Sequence, residues 1–152
     1  MKHIFICCFC SIFFLSCNSN LCSTFLLMVN DSTYEIEWVS TIESPSGGLG
    51  SLSHYMNAVY VCHSDVFSDV DEKDITIEDM CFNLGDAEIK AYAIFDDEKT
   101  LLKSWKGSDR FKDKRSPFCL NHCEKRIGTN VDASRYINYY FHVTNDDFDT
   151  IK

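Results

Sequence analysis

Glu88-Ile-Lys-Ala-Tyr-Ala-Ile-Phe95, Asp96-Asp-Glu-Lys99 and Thr100-Leu-Leu-Lys-Ser-Trp-Lys106 follow one another without a break, and their reading decides the fold. Side chains alternate across an extended chain, so Ile89, Ala91, Ala93 and Phe95 share one face. Tyr92 and Ile94 make the other face apolar as well, which suits an interior strand with both faces at least partly covered. The four charged residues form a solvated connection of hairpin length, and Thr100–Trp105 runs back antiparallel. Leu101, Leu102 and Trp105 also have helical spacing, so a helix over Asp97–Trp105 is the alternative.

The start of the chain bears on where the protein goes. Met1-Lys2-His3 is a short basic start, Ile4–Leu15 is an almost unbroken apolar run, and Ser16-Cys17-Asn18-Ser19 is small and polar. That is the layout of a secretory signal peptide over residues 1–19, with Cys17 and Ser19 at the −3 and −1 positions and Asn20 as the new terminus. A membrane anchor is the competing reading. It needs about 20 apolar residues, and this run is shorter, so no transmembrane anchor is expected. Cleavage leaves 13 basic residues against 23 acidic ones, a net charge of about −10. It also leaves five cysteines: Cys22, Cys62, Cys81, Cys119 and Cys123. In an oxidising compartment these predict two disulfides among Cys62, Cys81, Cys119 and Cys123, in any of three connectivities. Cys119 and Cys123 are close in sequence, so each is expected to reach a distant strand. Cys22 is the odd thiol, either free or joining two chains as a dimer.

Residues 20–152 make one domain with a modest core. Phe25–Val29 is a short apolar strand ending in the turn Asn30-Asp31-Ser32. Tyr34, Ile36, Trp38, Ser40 and Ile42 then alternate with Glu35, Glu37, Val39, Thr41 and Glu43, one buried face against one wet face. Ser44–Gly50 reads as a loop. Met56–Cys62 and Ile75–Cys81 are two further strands, and Arg135–Val143 completes the set. Six or more strands with few helical signals predict an all-β chain, an antiparallel β-sandwich, with an open barrel as the alternative.

Motifs for chemistry are sparse. Cys119-Leu-Asn-His122-Cys123 holds three potential metal ligands without a second cluster to complete four, so disulfides are preferred over metal. No GxSxG or HExxH motif occurs, and no catalytic residue or cofactor is assigned. A hydrolase built on His122 or His54 remains the third reading. Gly47-Gly48-Leu49-Gly50 lacks the Lys-Ser/Thr of a phosphate loop and is a turn. Charge is more informative. Acids crowd Asp65–Glu98, opposed only by Lys73 and Lys90, while Lys99–Arg115 reverses sign. Asp65, Asp69, Asp71, Glu72 and Asp74 are therefore the candidate partner-binding residues, able to steer a basic protein. The negative net charge argues against nucleic acid. Asn30-Asp31-Ser32 is an N-glycosylation sequon at Asn30.

Ser46-Gly-Gly-Leu-Gly-Ser51, Ala58-Val-Tyr-Val-Cys62, Ile89-Lys-Ala-Tyr-Ala93 and Arg115-Ser-Pro-Phe-Cys-Leu120 sit within a leader-bearing, acidic, cysteine-containing β chain. In this layout, over Phe25–Val143, the chain resembles the secreted poxvirus immune-evasion proteins, the viral chemokine-binding proteins and their relatives. The resemblance implies a β-sandwich that binds a chemokine, cytokine or immune receptor through sheet faces and loops. Some of those proteins carry a retrieval tail of the KDEL kind. This chain ends Asp149-Thr-Ile-Lys152, so retention by that route is not expected. A host extracellular protein, basic in character, is the expected partner. A lipocalin-like carrier of small ligands is the second reading, requiring about eight strands closed around an apolar cavity.

Overall fold

Glu88–Phe95 and Glu98–Lys106 pair antiparallel from Glu88↔Lys106 to Phe95↔Glu98, so the hairpin reading holds and the helix does not form. The computed structural model describes residues 21–43, 54–55, 58–67, 75–95, 98–130 and 134–148. Between Ala91↔Lys103 and Tyr92↔Leu101 the register shifts, leaving Leu102 as an extra residue without a partner. This β-bulge explains the helix-like spacing. Leu102 and Trp105, three apart, would face opposite sides of a regular strand, but the bulge turns both inward, and both are buried.

Eight strands are present among the described residues: β1 (Leu21–Asn30), β2 (Ile36–Ser40), β3 (His54–Tyr55), β4 (Ala58–Phe67), β5 (Glu88–Phe95), β6 (Glu98–Lys106), β7 (Glu124–Thr129) and β8 (Arg135–Val143). They form a five-stranded sheet in the order β3-β4-β1-β8-β7 and a three-stranded sheet in the order β2-β5-β6. The chain is all-β, with two packed sheets rather than one closed on itself. Antiparallel pairing throughout does not hold, however. β1 lies antiparallel to β4 but parallel to β8, from Cys22↔Arg135 to Asn30↔Val143. β1 can be this central strand because both its faces are apolar. Leu26 and Met28 point to the core, while Phe25, Leu27 and Val29 lie on the reverse. Its one inward hydroxyl, on buried Thr24, donates to the Ser64 carbonyl at 2.9 Å.

A second bulge lies in β4. Leu26 faces Cys62 and Leu27 faces Tyr60, so Val61 is the extra residue and Val61 and Cys62 are both buried. The core between the sheets gathers Leu26, Met28, Ile36, Trp38, Ile89, Ala91, Trp105, Ile137 and Phe141.

The expected strand Ile75–Cys81 is instead one turn of helix, α1 (Ile77–Met80). Its Asp79 carboxylate accepts the Thr76 N–H and hydroxyl, both at 2.8 Å, which closes the start of a helical turn. Ile77 and Met80, three apart, then share the buried side. The apolar spacing that reads as a strand is overridden by this local cap. Gly107, after β6, has no room for a side chain. A Cβ there would collide with the Leu84 carbonyl oxygen, so the turn 82–86 seats directly on the Gly107 backbone.

Candidate interaction surfaces

The sign reversal seen along the chain is partly offset in space. Lys99 pairs with Glu37 at 2.6 Å, Arg110 with Glu78 at 2.7 Å, Lys112 with Asp109 at 2.8 Å and Arg115 with Asp147 at 2.7 Å. Four of the seven cations of the basic segment therefore meet carboxylates of the same molecule. Most of these pairs are exposed and contribute little to stability. The Arg115 pair is different, because Asp147 is buried. Its carboxylate also accepts the Thr144 N–H at 2.9 Å, while Arg115 donates to the His142 carbonyl at 2.7 Å and lies over the Phe141 ring. Arg115 is a strut, not a free cation.

Of the acidic candidates, Asp65 is exposed on β4 and accepts the Ser23 hydroxyl at 2.7 Å. Asp69, Asp71, Glu72 and Asp74 lie outside the described residues. Glu88 accepts from Lys90 and from Ser104, and the Lys90 bond leads in holding its carboxyl below the usual range.

The histidines are engaged one by one. His142 Nδ1 is 2.7 Å from Asp31 and its Nε2 is 3.0 Å from Glu124, so both ring nitrogens face carboxylates rather than a nucleophile. His122 Nδ1 accepts the Ser116 N–H at 3.0 Å. His63 stacks on Phe25, with centroids 5.7 Å apart. His54 has no described side chain. Among the described residues no group of three His, Cys, Asp or Glu is placed to hold a metal.

Cys22, Cys62, Cys81, Cys119 and Cys123 are all thiols in this structure, so the two expected disulfides are not seen. Cys62 and Cys81 are part of the buried core and Cys123 packs against it. The Cys81 thiol meets Asn83 Oδ1 at 3.5 Å, and Cys123 Sγ lies 3.9 Å from the Pro117 carbonyl oxygen. Burial pushes the Cys81 thiol up to about 11 and the Cys123 thiol up to about 12, and it raises Cys62 further still. Burial also raises the Cys22 thiol, against the opposing pull of Arg135 and Lys125.

Asn30 is half-buried at the end of β1. Its Nδ2 donates to the Tyr34 carbonyl at 2.8 Å, and its Oδ1 accepts the Ser32 N–H at 3.0 Å and the Ser32 hydroxyl at 2.6 Å. This is the side-chain turn that Asn favours between strands.

The most evident docking surface includes the Tyr92 and Ile94 face of β5, expected to be at least partly covered, and the wet face of β2. On the outer face of the three-stranded sheet, Val39, Ile94 and Leu101 are 40 %, 37 % and 49 % exposed, and Leu101 lies directly across from half-buried Tyr92. Glu37–Lys99 and Glu88–Lys90 ion pairs stand beside them on the same sheet. Charged and apolar side chains alternate across this face, with Glu37 opposite Tyr92 and Lys90 opposite Val39, the mixed character common in protein-binding surfaces. The signal was present in the alternation of β2, where Val39 falls among Glu35 and Glu37 on the wet face. At the end that carries α1, Phe82 and Phe111 are also strongly exposed, with Arg110 over the Phe111 ring.

Comparison with protein-family models, with curated proteins and with solved structures finds no match for this chain. No helix among the described residues is long and apolar enough to cross a membrane.

Proposed function

We propose that the chain is a secreted viral immune-evasion protein that binds a host immune protein, a chemokine, cytokine or receptor, and blocks its action. The observation that carries this reading is the exposed Val39, Ile94 and Leu101 group around Tyr92. Patches of that kind on one sheet face mark interaction sites. Two features support a basic partner. The formal net charge is −9, and four of the seven cations of Lys99–Arg115 are paired with carboxylates within the fold, so the excess available to a partner is negative. Removal of residues 1–19, glycosylation at Asn30 and steering by Asp65, Asp69, Asp71, Glu72 and Asp74 belong to the same proposal.

The test measures binding kinetics of the secreted chain against a panel of basic chemokines and cytokines, with neutral and acidic proteins as controls, at low and physiological salt. Binding to basic members, with association that slows as salt rises, supports the reading. Leu101→Asp should weaken it by about tenfold or more, the loss typical of a central apolar contact. Leu101→Asp that folds and binds as before would remove this face as the site. Absence of binding to the whole panel would remove the proposal.

A further inference from the structure

His142 sits between buried Phe141 and Val143, so its ring stands on the outer face of the five-stranded sheet. Its Nδ1 reaches Asp31, in the turn after β1, at 2.7 Å. Its Nε2 reaches Glu124, the first residue of edge strand β7, at 3.0 Å. A carboxylate only accepts hydrogen bonds, and a neutral imidazole carries a single N–H. The neutral ring therefore serves one carboxylate and turns a lone pair on the other. Only the ring protonated at both nitrogens donates to both, through charge-assisted bonds.

The groups around the ring come from each neighbouring element. On β7, Glu124 also accepts Arg126 Nε at 2.6 Å, and that bond leads in holding the Glu124 carboxyl below the usual range. Arg126 lies over the Tyr140 ring at 4.8 Å, and Tyr140, on β8 itself, is tilted toward His142 at 6.5 Å. On β1 the residue directly across is the apolar Val29. Arg115 meets His142 at its backbone carbonyl. Among the described residues, the charges that face the ring are thus Asp31, Glu124 and, behind Glu124, Arg126.

We propose that His142 is a proton-dependent clamp, which in its doubly protonated form ties the turn after β1 to edge strand β7 across β8. As pH rises and the ring loses its second proton, one arm opens, because two carboxylates are left facing one N–H. The clamp therefore holds from above the carboxylate range, near about pH 4, until the ring titrates in the histidine range of about pH 5–8. Its opening is local. Thr33 N–H donates to Asn145 Oδ1 at 3.0 Å and keeps the same turn attached without a titrating group.

The test follows the isotope-labelled full-length chain by NMR from about pH 5 to about pH 9, across the histidine range. It reads the His142 ring nitrogens together with exchange of the Asp31 amide hydrogen, which is bonded to the Val143 carbonyl at 2.9 Å. Both ring nitrogens should carry protons at the acid end. After correction for the intrinsic pH dependence of exchange, protection of the Asp31 amide should fall by about threefold as the ring titrates, the effect of an exposed ion pair. Asp31→Asn and Glu124→Gln should each move the His142 titration to lower pH, while Glu37→Gln, on the other sheet, should leave it in place. The unsubstituted chain carries the first two readouts, so they stand even if a variant fails to fold. A ring with one proton at the acid end, a titration unmoved by both substitutions, or protection that ignores the titration would overturn the proposal.

Discussion

The rings of Trp105 and Phe141 meet across the two sheets at 77°, with centroids 5.9 Å apart. Trp105 belongs to the three-stranded sheet and Phe141 to the five-stranded one, and Trp38 stacks on Trp105 from its own sheet at 6.4 Å. This is the edge-on geometry that aromatic pairs prefer, and it fixes the sheets against one another. Phe141→Ala should cost about 3–5 kcal/mol, the cavity and transfer penalty for a buried aromatic. Trp105 Nε1 is buried without a hydrogen-bond partner. Trp105→Phe sheds that unpaired group while keeping most of the ring, so it should cost clearly less than Phe141→Ala. Urea midpoints of the two variants check the ranking.

Gly107→Ala should destabilise the fold by about 1–3 kcal/mol, the usual cost of forcing an extra methyl into a packed site. The obstacle is the Leu84 backbone carbonyl, which cannot swing aside as a side chain would. Exchange of the Gly107 amide hydrogen, bonded to the Ala87 carbonyl, should speed up with it.

Asp147→Ala removes the acceptor shared by Arg115 and Thr144. The loss should be about 2 kcal/mol, a cap together with a charge-assisted bond. Arg115→Lys should recover only part of the stability, since one ammonium cannot reach both Asp147 and the His142 carbonyl as the guanidinium fork does. Thermal unfolding of both variants tests this.

The thiols give the reduced chain a signature at alkaline pH. Burial raises the folded values of Cys81 to about 11 and Cys123 to about 12, above the ordinary value near 9. The folded state therefore holds protons that the unfolded state releases. Their contribution is whole below pH 9 and is lost as pH rises through the folded values. The urea midpoint of the reduced chain should fall between pH 9 and 11 more steeply than that of the oxidised chain, in which these thiols no longer titrate. Equal slopes would count against buried thiols.

How far the sequence reached differs by element. The β5–β6 hairpin, the inward set Ile36, Trp38 and Ile42, and the strand Arg135–Val143 were legible because strand alternation records which face is buried. The two bulges were not, since one inserted residue inverts the alternation and mimics helical spacing at Leu102 and Trp105. α1 was missed although Thr76 and Asp79 mark it, because its apolar residues are equally compatible with a strand. β7 escaped because Glu124, Lys125 and Arg126 give an edge strand no apolar pattern. The candidate site was least legible. Charge order along the chain does not record which cations meet which carboxylates, and the open face at Leu101 depends on what does not cover it.

The parallel pairing of β1 with β8 has a kinetic consequence. β1 is the first strand among the described residues and the middle strand of its larger sheet, yet one of its two partners ends at Val143. Contacts between such distant parts of a chain form slowly, because a long loop must close first. While the chain is being made, β1 can zip to β4 but must leave its other edge open, with Leu26 and Met28 lacking the Tyr139 and Phe141 neighbours they will have later. Completion of the sheet waits for the C-terminal segment to leave the ribosome, and until then the growing chain presents an apolar strand edge to whatever chaperones attend it.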